Sequence, residues 1–549
     1  MRKLKSQLLR QIMSTINGQA AKSNVSFSPA TKHSINRRNF IALTAKSALA
    51  ASASMAFSYL MPSCKVDKKQ PKAEKKEMLD VAILGGGMAG LNCANYLLPT
   101  GLSFKVFEAS KRLGGRILTH YNDSMQLGIF PEFGGDFIDS DHQDMLDLAR
   151  EFNLEIIDLI KEQEENGWIK DIYYYENRKI SEKEVIREFN KIVPQLIKDK
   201  KSLGDTYKTE DAIRLDNTPL SSYLSKLKCK QWLKDLLDSA FVAEFGLNCQ
   251  QQSTLNMLDL IDTNTDEGFK VFGDSDERFR IKGGNSLLIQ KLSEKISSEH
   301  ILLNYQVNEV IETEDNTYQI TFDNGESIKA KTIVCTIPFT ILRSLKLNLL
   351  NMTEAKRKCI AELGYGNNTK LVLGYEGQPW RSKENNAMGY LFASDITNGW
   401  DASLNKTENN PNGAYVAFFG GSFSQKMCDE SFKNPNAPPS HLWRTELPEK
   451  RVDQLVATID KVFKHSKEKF KNKHVFVNWI EYPYVKASYT CYKVGQWTTL
   501  AGLEGQPIGN FFFAGEHCSA QFQGFMNGAA ESGRLVAQSV AKVFAPSNG

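Results

Sequence analysis

Short apolar runs separated by glycine turns set the rhythm of this chain. Leu79-Asp80-Val81-Ala82-Ile83-Leu84 has the length and composition of a buried parallel strand. Gly85-Gly86-Gly87-Met88-Ala89-Gly90 follows at once, then a helical stretch from Leu91 to Leu98. A second strand, Phe104-Lys105-Val106-Phe107, ends at Glu108. Thr332 to Pro338 predicts another buried strand, stopped by its proline, and Phe511-Phe512-Phe513 a strand that runs into Gly515-Glu516. The stretch from Gln523 to Gly533 begins a helix, Arg280 to Asn285 opens a helix-like stretch, and Tyr223 to Ala243 is helix-like. Leu371-Val372-Leu373 reads as a strand entering the interior. Residues 394–412 and 431–448 are polar, with several Pro, Gly and Asn, and read as surface loops. Strands alternating with helices across glycine turns predict an α/β architecture.

Length adds domain count to this picture. At roughly 100–200 residues per domain, 549 residues predict two or three domains. The composition, 41% hydrophobic and 24% charged, is that of a soluble globular protein. The formal charge is only +4, and part of it sits in a solvated lysine-rich linker from Lys65 to Lys76. No basic stripe points to nucleic acid. The nine cysteines show no zinc or Cys-x-x-Cys spacing, so no metal site is expected.

The first 64 residues read as an export segment. Asn36-Arg37-Arg38-Asn39-Phe40-Ile41 precedes an apolar, small-residue run reaching about Met61, which is the pattern of a twin-arginine signal. The run is too rich in Ala and Ser, and too interrupted by Lys46, for a spanning helix of about 20 apolar residues. Cleavage near Ala51-Ser52-Ala53 is one outcome. Lipidation at Cys64, after the lipobox-like Met61-Pro62-Ser63, is the other and would make residues 65–78 a membrane tether. Either outcome predicts a periplasmic or cell-surface protein.

The candidate chemistry begins at the first glycine turn. Gly85, Gly87 and Gly90 stand in the G-x-G-x-x-G spacing, between a predicted strand and a predicted helix. Gly85 permits the tight turn, Gly87 lets the backbone approach a pyrophosphate, and Gly90 lets the helix pack on the strand. The helix N-terminus turns its free N–H groups toward the phosphates. Glu108 closes the second strand, where an acid can accept hydrogen bonds from ribose hydroxyls. These features specify a dinucleotide and leave NAD and FAD open.

The next motifs separate the two. Lys111-Arg112-Leu113-Gly114-Gly115-Arg116 and Glu132-Phe133-Gly134-Gly135-Asp136-Phe137 resemble segments of the flavin-containing amine oxidase family, which spans monoamine, polyamine and L-amino acid oxidases. The likeness continues in family order through Arg280–Asn285, Ile301–Val307, which resembles the family's strand beside the adenine, Phe511–Glu516 and Gln523–Gly533, and covers about residues 79–545. It implies a bilobal α/β flavoprotein. A Rossmann-type FAD domain would be assembled from 79–136, 279–339 and 486–549, and an α+β substrate domain from 137–278 and 340–485. It further implies that Gly85, Gly87, Ala89, Gly90, Glu108, Ala109, Gly115, Gly134, Gly135, Val307, Gly515, Glu516, Phe525 and Met526 face FAD, with Arg116 against the phosphates and Val307 beside the adenine.

The resemblance also assigns the chemistry, which is oxidation of a C–N bond by flavin. Lys370, in Tyr365-Gly366-Asn367-Asn368-Thr369-Lys370, matches the lysine that holds a water at flavin N5. Tyr489, in the stretch from Asn478, and Phe525, in Gly524-Phe525-Met526-Asn527-Gly528, match the two aromatic walls that guide a neutral amine. The family's covalent cysteine position is Ser488 here, which implies noncovalent FAD. The arginine that takes a substrate carboxylate in L-amino acid oxidases is replaced by Phe137, which favours amines over amino acids. The expected partners are therefore a small amine and O2 or another electron acceptor; the alternatives are an L-amino acid oxidase or tryptophan monooxygenase-like enzyme, and a lipoprotein that keeps the flavin fold without turnover.

Overall fold

In the computed structural model the described residues are 78–121, 125–403, 410–433 and 444–545. The export-like segment, Cys64 and nearly all of the linker lie outside them.

Strand β1 (Leu79–Leu84) is the centre of the first sheet. Its alternate residues bury into two separate cores. Val81 and Ile83 meet helix α1 (Met88–Leu97), and Ala82 and Leu84 join a core with Phe107 and Phe322. This two-sided burial is why the run carries no polar alternation. β1 pairs in parallel with β2 (Phe104–Glu108) on one side and with β3 (Ser327–Cys335) on the other. β4 (Phe511–Phe513) pairs in parallel with β3. Helix α2 (Met526–Val543) packs across α1 so closely that a Cβ on Gly533 would stand 2.2 Å from the Ala89 carbonyl oxygen.

A second eight-stranded sheet is mostly antiparallel. Its strand Thr369–Glu376 lies between Phe470–Asn478 and Asn412–Phe419. Leu371 and Leu373 face a core formed with helix Glu449–Val462, while Val372 faces Phe133, Trp400 and Trp479. Lys370 has the parity of Val372, so it emerges on that same face.

Several expected elements differ in detail. Ile301–Val307 is not one strand: Ile301–Leu303 pairs with β2, the chain turns through Asn304 at φ +62°, and Val307–Glu312 pairs with Tyr318–Phe322. Tyr223–Ala243 spans two helices, Leu220–Lys226 and Gln231–Phe245. Arg280 sits in a short strand, Phe279–Ile281, and the helix follows at Ser286–Ile296. Within 394–412, Thr397–Asp401 is a buried strand rather than a surface loop, because Trp400 and its neighbours fill the second sheet. Lys346–Asn348, beyond residue 339, extends the edge of the first sheet.

Candidate active site

A cavity of about 420 Å³ runs from the first glycine turn into the second sheet. At its nucleotide end, Gly85 stands at φ +114°, and a Cβ there would meet Thr336 Oγ1 at 2.3 Å. A Cβ on Gly90 would lie 2.0 Å from the Gly85 carbonyl oxygen, so only glycine lets α1 start so close to β1. Gly87 is different. A Cβ there would meet nothing nearer than the Gly115 Cα at 3.9 Å. Gly87 and Gly115 pack face to face, a Cβ on Gly115 standing 3.4 Å from the Gly87 Cα, and both line the cavity at the N-terminus of a ten-residue helix. Such a cradle fits the pyrophosphate of a dinucleotide. Glu108 is fastened by backbone N–H groups of Gly86 and Ser110, both at 2.8 Å, and each of its oxygens keeps a lone pair for a further donor. Ala89, Ala109 and Val307 also line the cavity.

The C-terminal block meets this end from the other side. Gly515 lies at φ +141°. Both Glu516 oxygens are taken. One accepts from Arg116 Nη1 at 2.8 Å and Thr490 Oγ1 at 3.2 Å, and the other from the Gly524 N–H at 2.9 Å. Burial opposes the charge on Glu516, but Arg116, His517 and these hydrogen bonds outweigh it and hold the carboxyl below its usual range. Arg116 was expected against cofactor phosphates. It does line the cavity, but its guanidinium is held by Glu516 and by the Ser488 carbonyl at 2.7 Å. Met526 starts α2 and packs on Gly135, where a Cβ would meet its sulfur at 2.6 Å. A Cβ on Gly134 would stand 1.8 Å from the Arg116 carbonyl oxygen.

Farther in, Lys370, Tyr489 and Phe525 all line the same cavity. Lys370 is 6% exposed and donates to the carbonyls of Gly134 at 2.7 Å and Glu132 at 3.2 Å. Burial lowers its pKa, opposed by the carboxylates of Asp136 and Glu132. Tyr489 donates its hydroxyl to the Ala243 carbonyl at 3.1 Å, and Phe525 packs edge-on against His142 at 5.1 Å. Ser488 donates to Asn368 Oδ1 at 2.7 Å.

Sequence reasoning passed over several lining residues. Asp136 binds Trp400 Nε1 at 2.8 Å and stands 3.2 Å from Arg280 Nε. Arg280 lies over the Phe137 ring at 4.2 Å. Glu277 lines the cavity beside Tyr390, and burial pushes its carboxyl up to about 8. No local pattern marks these residues, because their partners come from other elements. No metal site was expected, yet Asp139, Asp141 and His142 bring ligand-type atoms within 4.8 Å of one another. His142 is engaged within the group, accepting from the Asp139 N–H at 3.0 Å.

A dinucleotide cradle thus opens into a cavity that continues to a buried strand lysine and two aromatic rings. The sequence profile described as flavin containing amine oxidoreductase matches residues 88–541. The chain is 24% identical over 476 residues to probable polyamine oxidase 4 of Arabidopsis thaliana, covering 83% of this chain and 86% of that one. It is 24% identical over 524 residues to pseudooxynicotine dehydrogenase of Pseudomonas sp, covering 93% and 96%. The fold matches cyclohexylamine oxidase from Brevibacterium oxydans IH-35A with a TM-score of 0.68 at 18% identity, covering 85% of this chain and 99% of that one. The chain belongs to the flavin containing amine oxidoreductase family. It is a flavin-dependent oxidoreductase.

Proposed function

We propose that this chain binds FAD noncovalently and oxidises a primary or secondary amine to its imine, passing the electrons to O2 or another acceptor. The observation that carries this reading is the convergence of Lys370, Tyr489 and Phe525 on the cavity that begins at the Gly87 cradle. FAD, when bound, supplies the two-electron chemistry. The chain's residues do the rest. Gly87, Gly115 and the α1 N-terminus would hold the phosphates, and Glu108 the ribose. Tyr489 and Phe525 would orient the amine and exclude water. Lys370 would hold a proton and a water where negative charge develops.

Ser488 supports a dissociable cofactor, since its hydroxyl is already given to Asn368 and oxygen here forms no thioether. Amines are favoured over amino acids because Phe137 replaces the carboxylate-binding arginine. The nearby Arg280 cannot take that role freely: it is 3% exposed and engaged by Asp136 and by the Asp401 carbonyl. The two relatives named above include an oxidase and a dehydrogenase, so O2 and a dye acceptor belong in the same assay.

Anaerobic bleaching of the yellow enzyme against a panel of amines and amino acids tests the reading. Bleaching by amines is expected, and bleaching by amino acids alone overturns it. Acid precipitation should leave FAD in the supernatant; flavin in the pellet would refute the noncovalent assignment. We also propose export through the Arg37-Arg38 segment to the periplasm or cell surface, with either cleavage near Ala51-Ser52-Ala53 or lipidation at Cys64 as the processing outcome.

A further inference from the structure

We infer that Asp136 is a positioning residue that keeps Lys370 charged and fixed at the head of the cavity. The geometry is that of a clamp. Asp136 Oδ2 lies 3.5 Å from Lys370 Nζ, and its Oδ1 lies 3.2 Å from Arg280 Nε. The carboxylate is itself held by Trp400 Nε1 at 2.8 Å. The Asp136, Arg280 and Lys370 side chains are 6%, 3% and 7% exposed, so water screens none of them.

Lys370 gives two of its three donors to carbonyls of the same loop and forms an ion pair with this carboxylate at 3.5 Å. The carbonyls orient the ammonium but carry no net charge to balance it. The charged groups facing Lys370 are Asp136, Glu132 and Arg280. Arg280 repels it. Glu132 attracts it, but its carboxyl is pushed up by burial and by Asp136, and is occupied by the Asn285 N–H at 2.7 Å and by Thr119. Among the described residues, Asp136 is the carboxylate that sits between the two buried cations. Without it, two like charges would face each other in a dry site, and the lysine, unlike the guanidinium, can give up its proton.

This inference rests on the reading that Lys370 faces the flavin, but its test uses no amine. The FAD-loaded wild-type enzyme, D136N, K370M and D136N/K370M are titrated with dithionite at several pH values, and proton uptake per two electrons is measured from the pH dependence of the midpoint. In wild type, Lys370 holds its proton before and after reduction. In D136N it has given up that proton beforehand, so reduction takes up one additional proton. That additional proton should be absent from D136N/K370M, and D136E should restore wild-type uptake. If D136N does not fold, D136S, which also removes the carboxylate and leaves Arg280 in place, takes up the same additional proton, and wild-type uptake in it overturns the assignment. Wild-type uptake in a folded, flavin-loaded D136N overturns the assignment. So does additional uptake that persists in D136N/K370M. Failure of every amine to bleach the wild-type enzyme would instead sink the functional reading and leave this titration intact.

Discussion

Lys370 and Glu516 show how single residues gain function from what surrounds them. Lys370 is a buried ammonium on a strand, pointed at the loop Glu132–Asp136 that borders the cavity. Lys370→Met should slow flavin reduction or reoxidation on the order of a hundredfold, the effect of losing one preorganised charge-stabilising donor. FAD should stay bound; stopped-flow absorbance of a still-yellow variant checks both. Glu516 ties Arg116 to the C-terminal block. Glu516→Gln should cost about 3 kcal/mol in thermal unfolding, the low end for breaking a buried pair, since Arg116 is 24% exposed. The pH dependence follows in sign. Glu516's folded pKa is depressed, so its stabilisation is full above the usual carboxylate range and is lost as pH falls through the depressed value. Melting scans of Glu516→Gln should lack that acid limb.

At the scale of elements, the strand–turn–helix from Leu79 to Leu97 makes two glycines separable. Gly90→Val places a Cβ against the Gly85 carbonyl and should both destabilise the protein, by roughly 1–3 kcal/mol, and abolish FAD binding. A Cβ at Gly87 makes only ordinary van der Waals contact, at an ordinary φ of −78°, so in Gly87→Val the melting temperature of the flavin-free protein should hold while FAD is lost. Calorimetry with the 450 nm absorbance separates the two; equal loss of stability in both would refute the cradle. This unit was legible in the sequence because glycine spacing and apolar runs act over a few residues. Ile301–Val307 was misread because a single left-handed residue, Asn304, sends an apolar run into two different pairings. Thr397–Asp401 was misread because its polar flanks resemble a loop, and Trp400 is covered by Asp136 and Phe137, which are distant in sequence.

At the scale of the whole molecule, the cavity links a nucleotide-binding sheet to a largely antiparallel one, and its walls come from both. The export reading also belongs here. Arg37→Lys with Arg38→Lys should leave full-length precursor inside the cell, and fractionation with a C-terminal tag reads this directly. Normal export of the double variant would discard the twin-arginine assignment.

The sequence alone determined the dinucleotide turn, the flavin family and the candidates Lys370, Tyr489 and Phe525, because these signals are local motifs in order along the chain. Tertiary structure alone decided that Arg116 is held by Glu516 and that Asp136 joins Lys370, Arg280 and Trp400. The Asp136–Trp400 hydrogen bond spans 264 residues. Electrostatic partnership depends on distance and burial, which no spacing in the sequence encodes; it exists only once the two sheets have packed.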